Sequence, residues 1–206
     1  MSGLPGRFER DVLFLGKGEI PLEGSGRTVP NLEYSGEEHE KLNDRDVCRL
    51  AEALCINDKF CGSLELNGNE LTDLAALHLA KAIEKDGCKN ITKLDLSDNN
   101  FTGKAGVYIG SALIKNSAYP MYNLCFENVY LGDDGLVRII EAVNANKNLL
   151  KLNCGIVTDN GLVILAEKLK TNTSLEEIIF QETEDHQKFW TKKGREAFTK
   201  MMEKCT

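Results

Sequence analysis

Gly16-Lys17-Gly18 is the first stretch with chemical promise, because a lysine between glycines can hold a phosphate against backbone N–H groups. Its spacing does not match. A phosphate loop needs GxxxxGK followed by Ser or Thr and then a helix, and the segment reads instead as a flexible loop. The three histidines, His39, His78 and His186, pair by spacing with no nucleophile or metal ligand. His78 shares a helical slot with Tyr108, Arg138 and Ile164, which places it on an outer surface. The seven cysteines are odd in number and contain no CxxC pair, which argues against a disulfide framework or zinc site. They are expected to be reduced thiols, most of them acting as small apolar residues, with Cys48 and Cys55 packing on one helix face. Cys125, between Leu124 and Phe126, is expected to point out of a sheet. A reactive thiol there would need nearby cations to lower its pKa, and no basic cluster surrounds it. Paired carboxylates recur, but repetition alone produces them. No catalytic residue, metal or cofactor is therefore assigned, and the chain is read as a non-enzyme.

The elements that carry these side chains form a repeat. LELNGNELTDLAALHLAKAI (64–83) aligns without a gap with LDLSDNNFTGKAGVYIGSAL (94–113) at an offset of 30. LCFENVYLGDDGLVRIIEAV (124–143) follows at another 30, and LKLNCGIVTDNGLVILAEKL (150–169) at 26. A further unit begins with IIFQETEDHQKFW at 178. One apolar helical slot is held by Leu50, Leu79, Ile109, Ile139, Leu165 and Phe198, and the slot four later by Leu54, Ile83, Leu113, Val143, Leu169 and Met202. A small residue stands four before the first slot at Ala75, Ala105, Gly135, Gly161 and Gly194, with Asp46 the exception. Each unit is thus strand, tight turn, helix and return loop. Such a unit cannot bury its own apolar faces, so units must stack, strand on equivalent strand, in a parallel sheet.

The pattern LxLxxNxLT-x-x-G-x-x-x-LA-x-AL resembles the leucine-rich repeat of the ribonuclease-inhibitor type, over about 42–202. The resemblance implies a short, stand-alone α/β solenoid, a curved horseshoe segment with the parallel sheet on its concave face and helices on its convex face. It further implies a protein-recognition scaffold. Two narrower resemblances lie within it. Five or so repeats plus a closing helix are similar to the C-terminal domain of tropomodulin, which implies an actin-associated protein. Proteins that activate the GTPase Ran share the repeat and use an arginine near an early turn, for which Arg45 and Arg49 are the candidates here.

Where the chain leaves the sheet, an asparagine at Asn69 and Asn99 can bond the turn's peptide groups in its own coil and the next. Val129, Gly155 and Thr183 hold that slot later, so the ladder is expected to cover only the first half. Around 147–157 two registers stay open: Leu150 and Leu152 fill the strand slots, or Leu149, Leu152 and Cys154 do, with Cys154 outward in the first.

Residues 1–41 are assigned to an N-terminal cap with a candidate strand at Val29–Tyr34, 42–181 to the repeats, and 182–206 to a capping turn and helix. Phe8, Val12, Leu13, Phe14 and Leu15 are expected to cover one raw end of the stack, and Phe198, Met201 and Met202 the other.

Strand positions between the leucines point away from the core. They give the candidate partner-binding residues Glu65, Asn67, Lys93, Asp95, Ser97, Asn123, Cys125, Glu127, Lys151, Asn153, Glu177 and Ile179. The central column is expected to run Glu65, Asp95, Cys125, Lys151, Ile179, acidic first and mixed later, which suits a protein with a basic edge. The net charge of −7 disfavours nucleic acid as partner. No apolar run reaches the ~20 residues of a membrane span, and residues 1–18 offer no secretory pattern. A monomeric cytoplasmic adaptor is the expectation, with the sequons at Asn90, Asn100 and Asn172 unmodified.

Overall fold

A computed structural model describes residues 6–19, 21, 31–35, 41–85, 91–181, 194, 196 and 199. Six strands alternate with helices after a first helix α1 (Arg7–Gly16). They are β1 (Asn31–Glu33), α2 (Asp44–Ile56), β2 (Gly62–Glu65), α3 (Asp73–Glu84), β3 (Ile91–Asp95) and α4 (Gly103–Lys115). Then follow β4 (Asn123–Cys125), α5 (Gly132–Ala145), β5 (Lys151–Ile156), α6 (Asp159–Lys168) and β6 (Glu177–Gln181). The strands form one parallel sheet in sequence order. Each strand with its following helix is one coil, numbered 1 to 5, and β6 opens coil 6.

Leu32, Leu64, Leu94, Leu124, Leu152 and Ile178 pair in one row across the sheet. The expected strand near Val29–Tyr34 is β1, and it joins the sheet through Leu32. Around 147–157 the second register holds. Leu124 pairs with Leu152, while Leu149, Leu152 and Cys154 are buried and Leu150 is half exposed. The gapless alignment of 150–169 is therefore right for the helix and two residues out for the strand. Coil 4 shortens in its return loop to β5, and coil 5 shortens in its strand-to-helix turn.

The turns explain the contraction. Asn69 donates through Nδ2 to the carbonyls of Tyr34 in the preceding coil and Leu66 in its own, and its Oδ1 accepts from Leu42 N–H at 2.8 Å. Asn99 repeats this one coil on, donating to Leu66 O and Leu96 O and accepting from Leu71 N–H. Beside them Gly68, Asp98 and Asn128 form a column of left-handed residues. At Val129 the ladder stops, as expected. Val129 N–H donates to Phe126 O, and Val129 O accepts from Ile156 N–H. Gly155, with φ at 68°, presses its Cα against the carbonyl oxygens of Val129 and Phe126, where any Cβ would collide.

The helices carry two further ladders. The first residue of one helix holds the start of the next. Asp44 accepts from Thr72 N–H, Thr72 Oγ1 and Ala75 N–H, and Asp73 does the same for Thr102 and Ala105. Thr72 and Thr102 are themselves N-caps, a position contributing about 1 kcal/mol. Gly103 and Gly132 interrupt the series together, and an added Cβ at Gly103 would lie 2.7 Å from Leu131 O. Asp133 resumes it, accepting from Thr158 Oγ1 and Asn160 Nδ2. At the helix ends Asn57, Asn116, Asn146 and Asn172 each donate to a carbonyl of the preceding turn of the stack: Leu15, Ile83, Tyr119 and Val143. The small helical slot is a close approach, because a Cβ on Gly106 would meet Gly135 Cα at 2.8 Å. Asp46, the exception to that slot, closes a capping box with Asn43.

Helix α1 lies on α2. Leu15 is fully buried and Phe8 and Val12 pack against the core, whereas Leu13 faces solvent. Phe8 meets Tyr34 edge to face, Tyr34 donates to the buried Asp11 at 2.8 Å, and Arg49 forms a two-pronged pair with Glu9. Gly16-Lys17-Gly18 is no loop. Gly18 (φ 69°) donates to Leu15 O and Glu19 N–H to Phe14 O, the hydrogen-bonded stop of a helix. His39, His186, Phe198, Met201, Met202 and Thr183 lie outside the described residues.

Candidate partner-binding face

The face of the sheet turned away from the helices carries two full rows. One runs Asn31, Ser63, Lys93, Asn123, Lys151, Glu177. The central one runs Glu33, Glu65, Asp95, Cys125, Asn153, Ile179. The expected place of Lys151 in the central row is thus corrected. The register puts Asn153 there and moves Lys151 beside Asn123. Glu33, absent from the sequence-based set, heads the row. Its signal was the placement of Leu32 and Tyr34 as inward neighbours.

Two of the expected contact residues do not present themselves. Ser97 is 4% exposed, with its Oγ 3.1 Å from Cys125 Sγ and accepting from Glu127 N–H. Asn153 is 8% exposed and accepts from Gly155 N–H, holding the left-handed turn. Cys125 is half-buried, and burial pushes its thiol pKa up despite the Ser97 contact, so it is a weak nucleophile. Cys154 is buried and its thiol is pushed up to about 12 by desolvation. Cys48 contacts Glu52 rather than packing inside.

Lys93 and Lys151 are both committed. Lys93 Nζ lies 2.8 Å from Glu65, and although burial draws its pKa down, the hydrogen bond and charge of Glu65 carry it above the usual value. Lys151 Nζ lies 2.7 Å from Glu177, whose hydrogen bond raises the lysine. Glu33, Asp95 and Glu127 have no ion-pair partner among the described residues. The face therefore carries five carboxylates against two neutralised ammoniums. Its far rim is knitted together: Asn128 Nδ2 donates to Asp98 at 2.7 Å. Gln181 reaches over the shortened coil 5, accepting from Asn128 N–H and donating to Glu127 at 3.4 Å.

Three large apolar side chains on or beside this face are exposed: Tyr122 (42%), Tyr130 (51%) and Ile179 (47%). Ile179 stands where the sequence placed it. The tyrosines were missed, because both fall just outside the strand slots of coil 4. Of the early arginines, Arg49 is held by Glu9, while Arg45 is exposed on α2. No helix among the described residues is long and apolar enough to cross a membrane, and no described group of three or more His, Cys, Asp or Glu is arranged to hold a metal ion.

No family model matches the sequence, and no curated protein matches it. Among solved structures, the leiomodin-1 actin-binding site 2 superposes with a TM-score of 0.61, covering 98% of this chain and 90% of that one at 17% identity. The fold is a leucine-rich-repeat-type solenoid. The likeness extends end to end, and at this identity it speaks for the fold alone.

Proposed function

We propose that this solenoid is a non-catalytic, cytoplasmic adaptor of the ribonuclease-inhibitor repeat type, binding a protein with a basic edge on its concave sheet. One helix per coil and row spacings of 26 to 32 support the repeat type. In this reading 1–41 closes one end, 42–181 forms the repeats and 182–206 closes the other. The observation that carries the function is the uncompensated charge of Glu33, Asp95 and Glu127 on a rigid sheet whose two lysines are already paired. Complementary charge sets orientation and association rate more than raw affinity. Affinity capture from cytosol tests it, comparing the native chain with Asp95→Lys/Glu127→Lys and with Glu84→Lys on the helical side. Loss of bound proteins by about tenfold or more in the first variant alone is expected. Equal recovery by all three overturns it.

A second reading is actin association. It is favoured by the end-to-end superposition on a domain described as an actin-binding site. Filament co-sedimentation and pointed-end elongation decide it. Unchanged elongation at saturating protein removes it.

A further inference from the structure

Coil 4 is the only described coil that places an exposed aromatic ring at both margins of its strand. Tyr122 enters β4, with its N–H bonded to Thr92 O and its own carbonyl accepting from Leu150 and Lys151 N–H. Tyr130 follows the turn, between the buried Val129 and Leu131, in the slot that Glu70 and Asn100 hold in coils 2 and 3. The other three tyrosines are buried or half-buried in the helical layer and core: Tyr34, Tyr108 and Tyr119. An exposed tyrosine is ordinary taken singly. Two on one coil, flanking the sheet's uncompensated carboxylates, make the pattern of an anchor, since rigid aromatic rings dominate contact energetics at protein interfaces.

The carboxylates near Tyr130 are already oriented. Asp98 is fixed by Asn128, two residues before Tyr130, and Glu127 is held by Gln181. Among the described residues, each keeps an oxygen for another donor. Neither has a cationic partner among the described residues. An exposed ring on the same turn as Glu127 and as Asn128, the partner of Asp98, suits a planar cation that stacks and donates at once, which arginine does and lysine does not. At the opposite margin Tyr122 lies within electrostatic range of Lys151, already neutralised by Glu177, so an apolar contact fits there better than a second cation.

We infer that the occupant of this face is an arginine-bearing polypeptide segment crossing coil 4, with its guanidinium stacked on Tyr130 against Asp98 and Glu127 and an apolar side chain on Tyr122. The inference rests on the concave-face reading above and specifies it. At ~3.3 Å per residue, an extended segment of roughly five to seven residues reaches from one ring to the other.

The test uses the full chain and three labelled decapeptides with a Gly-Ser background and one central leucine, bearing three arginines, three lysines or three glutamates. Binding is read by fluorescence anisotropy at low and at near-physiological salt, with thermal unfolding of each variant as the folding control. The arginine peptide is expected to bind about three- to fivefold more tightly than the lysine peptide, the range of an exposed ring–cation contact. Tyr130→Ala is expected to abolish that difference and Tyr130→Phe to keep it. Tyr122→Ala should weaken both basic peptides alike. Equal arginine and lysine binding, unmoved by Tyr130→Ala, overturns the anchor while leaving the acidic-face reading standing. Binding of the arginine peptide that survives Asp95→Lys/Glu127→Lys, or its absence at low salt, overturns both.

Discussion

Coils 2 and 3 and coils 4 and 5 meet the same difficulty, a chain that must turn inside a dry stack, by different means. In the first pair an amide side chain does the pairing: Asn69 and Asn99 each serve carbonyls of two coils and an N–H of the preceding one. In the second pair the main chain serves itself, through Val129 and Ile156. The side-chain solution keeps a spacing of 30 from Leu64 to Leu94 to Leu124. The main-chain solution draws the stack in, to Leu152 and Ile178, and requires a glycine where two carbonyls converge. A repeat can thus lose its signature residue, provided every peptide group still finds a partner.

The comparison breaks most sharply at Gly155. Gly155→Ala adds a Cβ onto two backbone carbonyls at a left-handed φ, and about 3 kcal/mol or more of stability should be lost. Chemical denaturation measures it. A loss under about 1 kcal/mol would show that the contracted turn can relax. Next is Asn69→Val, which installs the coil 4 residue in a coil 2 turn and orphans the buried carbonyl of Tyr34 and N–H of Leu42, while Leu66 O keeps its bond from Asn99. A cost of about 2–3 kcal/mol is expected. A cost near zero would mean the early turns can adopt the main-chain solution unaided.

The smallest effect concerns the end of the stack beside coil 1. Burial raises the pKa of Asp11 above its ordinary value, against the opposing Tyr34 hydrogen bond. A group with a raised folded pKa favours the fold below its unfolded pKa, near 4, and that contribution fades as pH rises through the folded value. Glu9, two residues away, has the opposite sign: its Arg49 hydrogen bond lowers its pKa, and its contribution fades as pH falls below about 4.5. Asp11→Asn should therefore steepen the loss of stability on acidification, by leaving the contribution of Glu9 unopposed. Parallel stability–pH curves for the two proteins between pH 3 and 6 would contradict the assignment.

The helices were legible in the sequence because their apolar slots recur at i and i+4 whatever the turns do. The strand register in coil 5 was not, because a two-residue contraction before the strand leaves Leu150 and Leu152 at an interval that imitates Leu124 and Phe126. The asparagine ladder of the turns was read correctly. The second one was overlooked, although Asn57, Asn116, Asn146 and Asn172 keep the helices' own spacing. An asparagine after a helix resembles an ordinary loop residue. The outward rows of the sheet were legible in outline. Ser97 and Asn153 lie deeper than alternation suggests, because alternation gives direction, not depth, and both turn their polar atoms to neighbouring backbone.

The two asparagine ladders share a direction. Asn57, Asn69, Asn99, Asn116, Asn146 and Asn172 all reach back to carbonyls of the coil or helix before them, so those carbonyls are completed by the element that follows. The stack therefore has an arrow. As the chain leaves the ribosome, every newly finished coil seals the one above it and leaves its own carbonyls waiting. A chain arrested part-way carries its unsealed coil at the growing end.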